Sequence, residues 1–275
     1  MAVEEQRPII MGILNITPDS FSDGGDYFNE DRAIKHALEM VNAGARILDI
    51  GGESTSPGSQ RVSTEKQLAR VLPALERLQE ILPQHIQISI DTTLSEVAEA
   101  AVEAGAEIIN DISAGEDDPE MFDLAASNKT PLILMHKQGS PKMMQTNPAY
   151  VNVVEEVKEY LLQRVSIAIA KGVDKNKIIL DPGFGFGKTL QHNLQLMAGL
   201  EKFVKTGYEV LLGTSRKTFL SKLCNTEIRK DLLGATCATT VMGVEAGVKI
   251  FRVHDVKENR QAADLAFILK NASFS

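Results

Sequence analysis

The chain has 275 residues, 43% hydrophobic and 24% charged, a globular composition that excludes disordered and fibrous classes. Its formal net charge of −8 argues against nucleic acid or a membrane surface as the main partner, while leaving room for a local basic pocket. Residues 1–10 (MAVEEQRPII) lack the basic and apolar regions of a secretory signal, and no apolar run approaches the ~20 residues of a membrane span, so a cytoplasmic location is expected.

In chain order, PIIMGILNIT at 8–17 reads as the first strand. Ala43-Gly44 then closes a helical stretch before RILDIGG, the second strand. HIQISIDT at 85–92 is the third, and Ala104-Gly105 precedes EIINDIS, the fourth. PLILMH at 131–136 is the fifth. Lys171-Gly172, Thr206-Gly207 and Ala246-Gly247 precede KIILDPG, EVLLGTS and KIFRVHD, which complete a set of eight. Such short Ile/Leu/Val runs suit strands buried on both faces of a parallel sheet. Helical patterns lie between them, for example Leu68, Val71, Leu72, Leu75, Leu78 and Leu82 on one face. Thr64 and Gln67 have the spacing of a capping box, and Pro73 is expected to bend or break that helix. The alternation predicts one TIM (β/α)8 barrel, an α/β fold of typically ~250 residues, as a single domain over 1–275.

Asp49, Asn110, Asp181, Ser215 and His254 fall at strand C-terminal ends, which converge on the mouth where such barrels carry active sites. Three connections run long: from Asn15 to about Glu30, from Gly51 to about Ser63, and after His136, where Lys137, Pro141, Met143, Met144 and Pro148 lie. Long loops on this side read as lids or substrate-ordering elements. Cys224 and Cys237 have no CxxC or nearby histidine at ligand spacing and read as reduced thiols.

Arg252 and His254 alternate along the last strand and so face the same way, as an anion clamp or, in the plainer reading, in an ion pair with Asp255 or a helix carboxylate. Arg216 and Lys217 follow the seventh strand, and the loops after strands seven and eight form the recurrent phosphate site of these barrels. The four are expected to face one pocket. Asp91, Asn110 and Asp181 could read the amino-pyrimidinone edge of a guanine-like or pterin-like ring, or simply cap helices. DPGFGFGKT at 181–189 does not fit a Walker loop, because Pro182 stands where glycine is required. Its glycines suggest a tight loop presenting Phe186, to stack on a flat substrate or pack into the core. Among the remaining histidines only His136, at a strand end, is placed to line the mouth.

MGILNITPDSFSDGG at 11–25, DIGGEST at 49–55, DPGFGFGK at 181–188, GTSRKTF at 213–219 and RVHD at 252–255 together resemble the dihydropteroate synthase family of folate biosynthesis, over nearly the whole chain. The resemblance implies a TIM barrel, usually a homodimer, that joins (7,8-dihydropterin-6-yl)methyl diphosphate to 4-aminobenzoate and releases pyrophosphate. It further implies that Asn15 coordinates Mg2+, and that Thr55 lies near the diphosphate and the amine. Asp91, Asn110 and Asp181 would hold the pterin, with Met135 packed on it and Lys217 reaching its ring. Arg252 and His254 would bind the leaving diphosphate, and Phe186, Lys217 and Thr218 would border the aminobenzoate. The catalytic group on this reading is Asp91, Asp181, Lys217, Arg252 and His254.

One departure is Ser56, where the family commonly has arginine; Arg61 is expected to replace it in part. A pterin-binding methyltransferase, such as the folate-binding barrel of cobalamin-dependent methionine synthase, would share the Asp and Asn contacts but has no diphosphate to bind. Asn15, the SRK segment and RVH favour the synthase.

Overall fold

All eight anticipated strands form and close on themselves. The structure, a computed structural model, describes residues 7–17, 26–54, 59, 61–139 and 148–272, with 26–30 described by their helical backbone. The strands are β1 (Ile9–Asn15), β2 (Ile47–Gly51), β3 (Gln87–Asp91), β4 (Ile108–Asp111), β5 (Leu132–Met135), β6 (Ile178–Asp181), β7 (Glu209–Leu212) and β8 (Ile250–Val253). Each pairs in parallel with the next, and β1 closes on β8. Helices α1 (Asp26–Asn42), α2 (Thr64–Ile81), α3 (Ser95–Glu103), α4 (Glu120–Ser127), α5 (Val153–Ala170), α6 (Leu190–Ala198), α7 (Leu200–Val204), α8 (Thr218–Cys224), α9 (Leu233–Ala246) and α10 (Val256–Lys270) follow the strands.

Strand periodicity places the site. Met11, Ile47, Ile108, Ile133, Ile179, Leu211 and Ile250 form a buried cluster of their own, an apolar layer across the barrel interior. The intervening residues, such as Ile10, Leu48, Ile109, Leu132 and Phe251, belong to the larger core shared with the helices. Because side chains two residues apart share a face, Asp49, Asn110, Asp181 and Arg252 must point inward one layer above Ile47, Ile108, Ile179 and Ile250. Burial of each Ile or Leu in the layer below contributes roughly 1.5–3 kcal/mol. That apolar floor is what holds the polar layer at the mouth.

The five glycines that punctuate the sequence, Gly44, Gly105, Gly172, Gly207 and Gly247, adopt φ of 102°, 107°, 100°, 87° and 93°. This is the left-handed geometry that ends a helix and turns the chain into the next strand.

Pro73 does not break its helix, and the capping box expected at Thr64 and Gln67 does not form. Helix α2 runs uninterrupted through Pro73, because its buried face of Val71, Ala74, Leu75 and Leu78 anchors it to the barrel. Nor does Gln67 complete a capping box: the N-cap is Ser63, without a side-chain cap bond. Gln67 is buried instead, donating to Glu53 Oε2 at 2.9 Å and accepting from Thr92 Oγ1 at 3.0 Å, so it joins the ends of β2 and β3. A capping box does form at α6, between Thr189 and His192.

Residues 18–25, 55–58, 60 and 140–147, parts of the three long mouth loops, lie outside the described residues, and Thr55 and Ser56 with them. Cys224 and Cys237 are free thiols, and among the described residues no helix is long and apolar enough to cross a membrane.

Candidate active site

Two adjoining recesses open at the C-terminal ends of the strands. The outer one, of about 250 Å3, is lined by Asn15 from β1, Phe186 and Lys188 from the loop after β6, residues 215–218 after β7, and Arg252 and His254 from β8 and its end. The deeper one, of about 20 Å3, is lined by Asn110, Ile112, Met135, Asp181, Phe184, Phe186, Gly213, Lys217 and Arg252. Phe186, Gly213, Lys217 and Arg252 belong to both. The anticipated pterin contacts Asn110, Met135 and Asp181 thus fall in the deep recess, and Asn15, Thr218 and His254 in the outer one.

Arg252 organises the polar layer. Its Nε donates to Asp49 Oδ2 at 2.5 Å and a terminal nitrogen to Asp91 Oδ2 at 2.6 Å, while Asn110 Nδ2 donates to the same Asp49 oxygen at 3.1 Å. Asp91 therefore does not line the deep recess but stands against Arg252. Burial pushes Asp91 up to about 7, against the pull of Arg252. Burial also raises Asp181, whose Oδ1 accepts from the Gly183 N–H at 2.7 Å. Burial works against the charge on Arg252, but Asp49 and Asp91 outweigh it and hold the guanidinium protonated.

His254 is oriented by Ser215. The backbone N–H of His254 donates to Ser215 Oγ at 3.1 Å, and Oγ lies 3.0 Å from His254 Nδ1. The hydroxyl thus holds both the backbone and the ring of His254, which fixes the imidazole's orientation at the mouth. Burial, then the neighbouring Arg216 and Arg252, lower His254 to about 3, so the ring is neutral at physiological pH.

All four anticipated groups, Arg216, Lys217, Arg252 and His254, line the outer cavity. The ion pair with Asp255 is made by Arg216, through Nε at 3.0 Å and a terminal nitrogen at 2.5 Å, and not by Arg252. Arg216 thus lines the outer cavity with its charge paired to Asp255. Lys217, pushed down to about 8 by burial, holds its ammonium 4.1 Å from the centroid of Phe186. Phe186, Met135 and Ile112 form a small apolar cluster, so Phe186 both packs and faces the cavity. Arg61, expected to stand in for the missing arginine, pairs with Asp117, which also holds Lys137 at 2.7 Å.

Sequence reasoning missed a buried pair beneath the loop after β6. Lys188 is 3% exposed, and its ammonium lies 2.9 Å from His136 Nδ1, 2.9 Å from Gly183 O and 3.0 Å from Phe186 O. Burial lowers Lys188 to about 7, with Asp181 opposing. Burial and then Lys188 itself lower His136 to about 2. The final lysine of GFGFGK was the available signal, since it serves no phosphate loop here.

Among the described residues no group of three or more His, Cys, Asp or Glu side chains is placed to hold a metal ion. Asn15 offers a hard amide oxygen, and Gly51 opposite leaves space beside it: a Cβ at that position would stand 3.5 Å from Asn15 Oδ1. That donor set fits Mg2+, which typically takes one or two protein ligands and completes its shell with water and substrate phosphate.

A closed parallel barrel whose mouth joins a recess lined by Asn110 and Asp181 to a cavity lined by Lys217, Arg252 and His254 has the layout of a barrel enzyme. Residues 11–254 match the family model described as pterin binding enzyme. The chain belongs to that family and, within it, to the dihydropteroate synthases, transferases of a pterin-methyl group. It is 43% identical over 267 residues to dihydropteroate synthase of Bacillus subtilis, covering 97% of this chain and 90% of that one. It superposes on the Clostridium difficile enzyme, solved in the presence of pteroic acid, with TM-score 0.90 and 42% identity over 96% of this chain and 97% of that one. The Xanthomonas albilineans enzyme with 4-aminobenzoic acid gives TM-score 0.91 and 39% identity over 97% and 94%.

Proposed function

We propose that the chain condenses (7,8-dihydropterin-6-yl)methyl diphosphate with 4-aminobenzoate, giving 7,8-dihydropteroate and pyrophosphate by a dissociative displacement. The observation that carries this reading is the shared wall. A recess lined by Asn110 and Asp181 adjoins a cavity lined by His254, with Arg252, Lys217 and Phe186 common to both. Relatives solved with pteroic acid and with 4-aminobenzoic acid support the same pair of ligands.

The amine of 4-aminobenzoate is a weak nucleophile, so breaking the methylene C–O bond before attack is the physically favoured order. The cleaved bond leaves a cation delocalised into the electron-rich ring, and the electron pair stays on the diphosphate. Asp181 and Asp91 favour positive charge on the heterocycle; Arg252 and the neutral imidazole of His254 meet the leaving oxygens. Bound through Asn15 and the substrate's oxygens, Mg2+ would neutralise part of the diphosphate charge. The aniline nitrogen, lying on the Phe186 side, then forms the C–N bond and sheds a proton.

We also assign the chain a homodimeric state, supported by Val241, Met242, Leu265, Ile268 and Leu269, all exposed on α9 and α10. Calorimetric titration separates the two recesses. Asp181→Ala should abolish binding of a pterin without diphosphate, whereas His254→Ala should retain it and lose turnover. The reverse pattern contradicts the assignment.

A further inference from the structure

The loop after β6 makes unusually close contact with the chain leaving β5. A Cβ on Gly183, at φ 68°, would stand 1.9 Å from the carbonyl oxygen of His136, and one on Gly187 2.4 Å from that of Gln138. Glycine permits this approach but supplies no bond to hold it. Besides the bonds from the Gly183 N–H to Asp181 and from the Gly185 N–H to Asn193, Lys188 reaches back under its own loop to the carbonyls of Gly183 and Phe186 and across to His136 Nδ1. Tyr150 adds a bond from its hydroxyl to Gly187 O at 2.9 Å.

Lys188 has no carboxylate within ion-pair distance among the described residues, although Asp181 opposes the lowering of its proton affinity from farther away. An apolar side chain would fill the same space at a lower desolvation cost, so burial alone does not account for lysine here. Three donors radiating from one atom match the three nearest acceptors. They fix the carbonyl of Phe186, and thereby the ring that walls the outer cavity beneath the Lys217 ammonium.

We propose that Lys188 is a positioning residue for the second substrate: by tying Gly183 and Phe186 to His136 it holds the Phe186 ring as the wall against which the aminobenzoate ring lies. This rests on the functional reading above and assigns Lys188 no contact with the reacting atoms. Asn110 stands on β4, outside the tied loop, and Asp181 keeps its own bond from the Gly183 N–H, so the first substrate's recess is expected to be less affected than the outer cavity.

The test is Lys188→Met, with steady-state kinetics in both substrates and thermal unfolding of each protein. The KM for 4-aminobenzoate should rise on the order of tenfold, as for loss of one or two charge-assisted hydrogen bonds, while the Kd for the pterin diphosphate stays within about threefold. Tyr150→Phe, which leaves Lys188 in place, should raise the same KM by a smaller factor and keeps the idea testable if Lys188→Met does not fold. Folded variants with unchanged aminobenzoate KM, or with both substrates weakened equally, overturn the proposal. Absence of product from the unaltered protein overturns the functional reading and this inference with it.

Discussion

Arg252 donates its Nε hydrogen to Asp49 at 2.5 Å, joining β8 to β2 over β1 at the floor of the mouth. Asp49 is fully buried and accepts from Asn110 through the same oxygen, so one carboxylate steadies two groups from opposite sides of the recess. Removing Asp49 leaves the buried guanidinium with Asp91 as its carboxylate partner and the Asn110 amide without this acceptor. Asp49→Ala should therefore lower unfolding free energy by about 1–3 kcal/mol, measured by urea denaturation. It should also weaken pterin binding. A loss of stability with unchanged pterin affinity would show that Asp49 supports the barrel and not the site.

That pair was not legible in the chain, although its members were. Asp49 and Arg252 are 203 positions apart, and only the closed barrel brings them together. What periodicity supplied was the inward direction of each strand end and the glycines that bound the units. Helix α2 shows the limit of local rules: packing carries it through Pro73, and Gln67 serves a strand end in place of a cap. Lys188 and His136 escaped for the same reason, since the contact depends on how one mouth loop seats on another.

Acid stability should report on His136. Its native value is pushed down to about 2 by burial and by Lys188, so between pH 6.5 and that value the unfolded chain binds a proton the native chain refuses. Stability must then fall as pH drops below 6.5, by on the order of 1.4 kcal/mol per pH unit for this group alone. Asp91, raised to about 7, contributes with the opposite sign, because its native form takes up a proton first. His136→Gln leaves Asp91 in place, so the difference in the pH slope of unfolding free energy isolates the histidine. Parallel slopes would mean that His136 ionises normally in the native state.

Asn15→Ala should raise the Mg2+ concentration required for half-maximal turnover while leaving binding of a pterin lacking the diphosphate unchanged. Titrating both proteins with Mg2+ after chelation checks this. An unaltered Mg2+ requirement would remove Asn15 from the metal's shell.

Arg61, expected to replace in part the loop arginine absent at Ser56, pairs with Asp117. Ser56→Arg should therefore lower the KM for 4-aminobenzoate or for the diphosphate severalfold by restoring a planar, bidentate donor. Arg61→Ala, which breaks an exposed ion pair, should change either by no more than about twofold. Unchanged constants in Ser56→Arg would dismiss the idea that the serine weakens binding.

The most direct measurement incubates the protein with (7,8-dihydropterin-6-yl)methyl diphosphate, Mg2+ and 4-aminobenzoate and follows dihydropteroate and pyrophosphate together by mass spectrometry. The account predicts equal amounts of both, dependent on each substrate and lost in Asp181→Ala. Pterin bound with intact affinity but no dihydropteroate formed would contradict it.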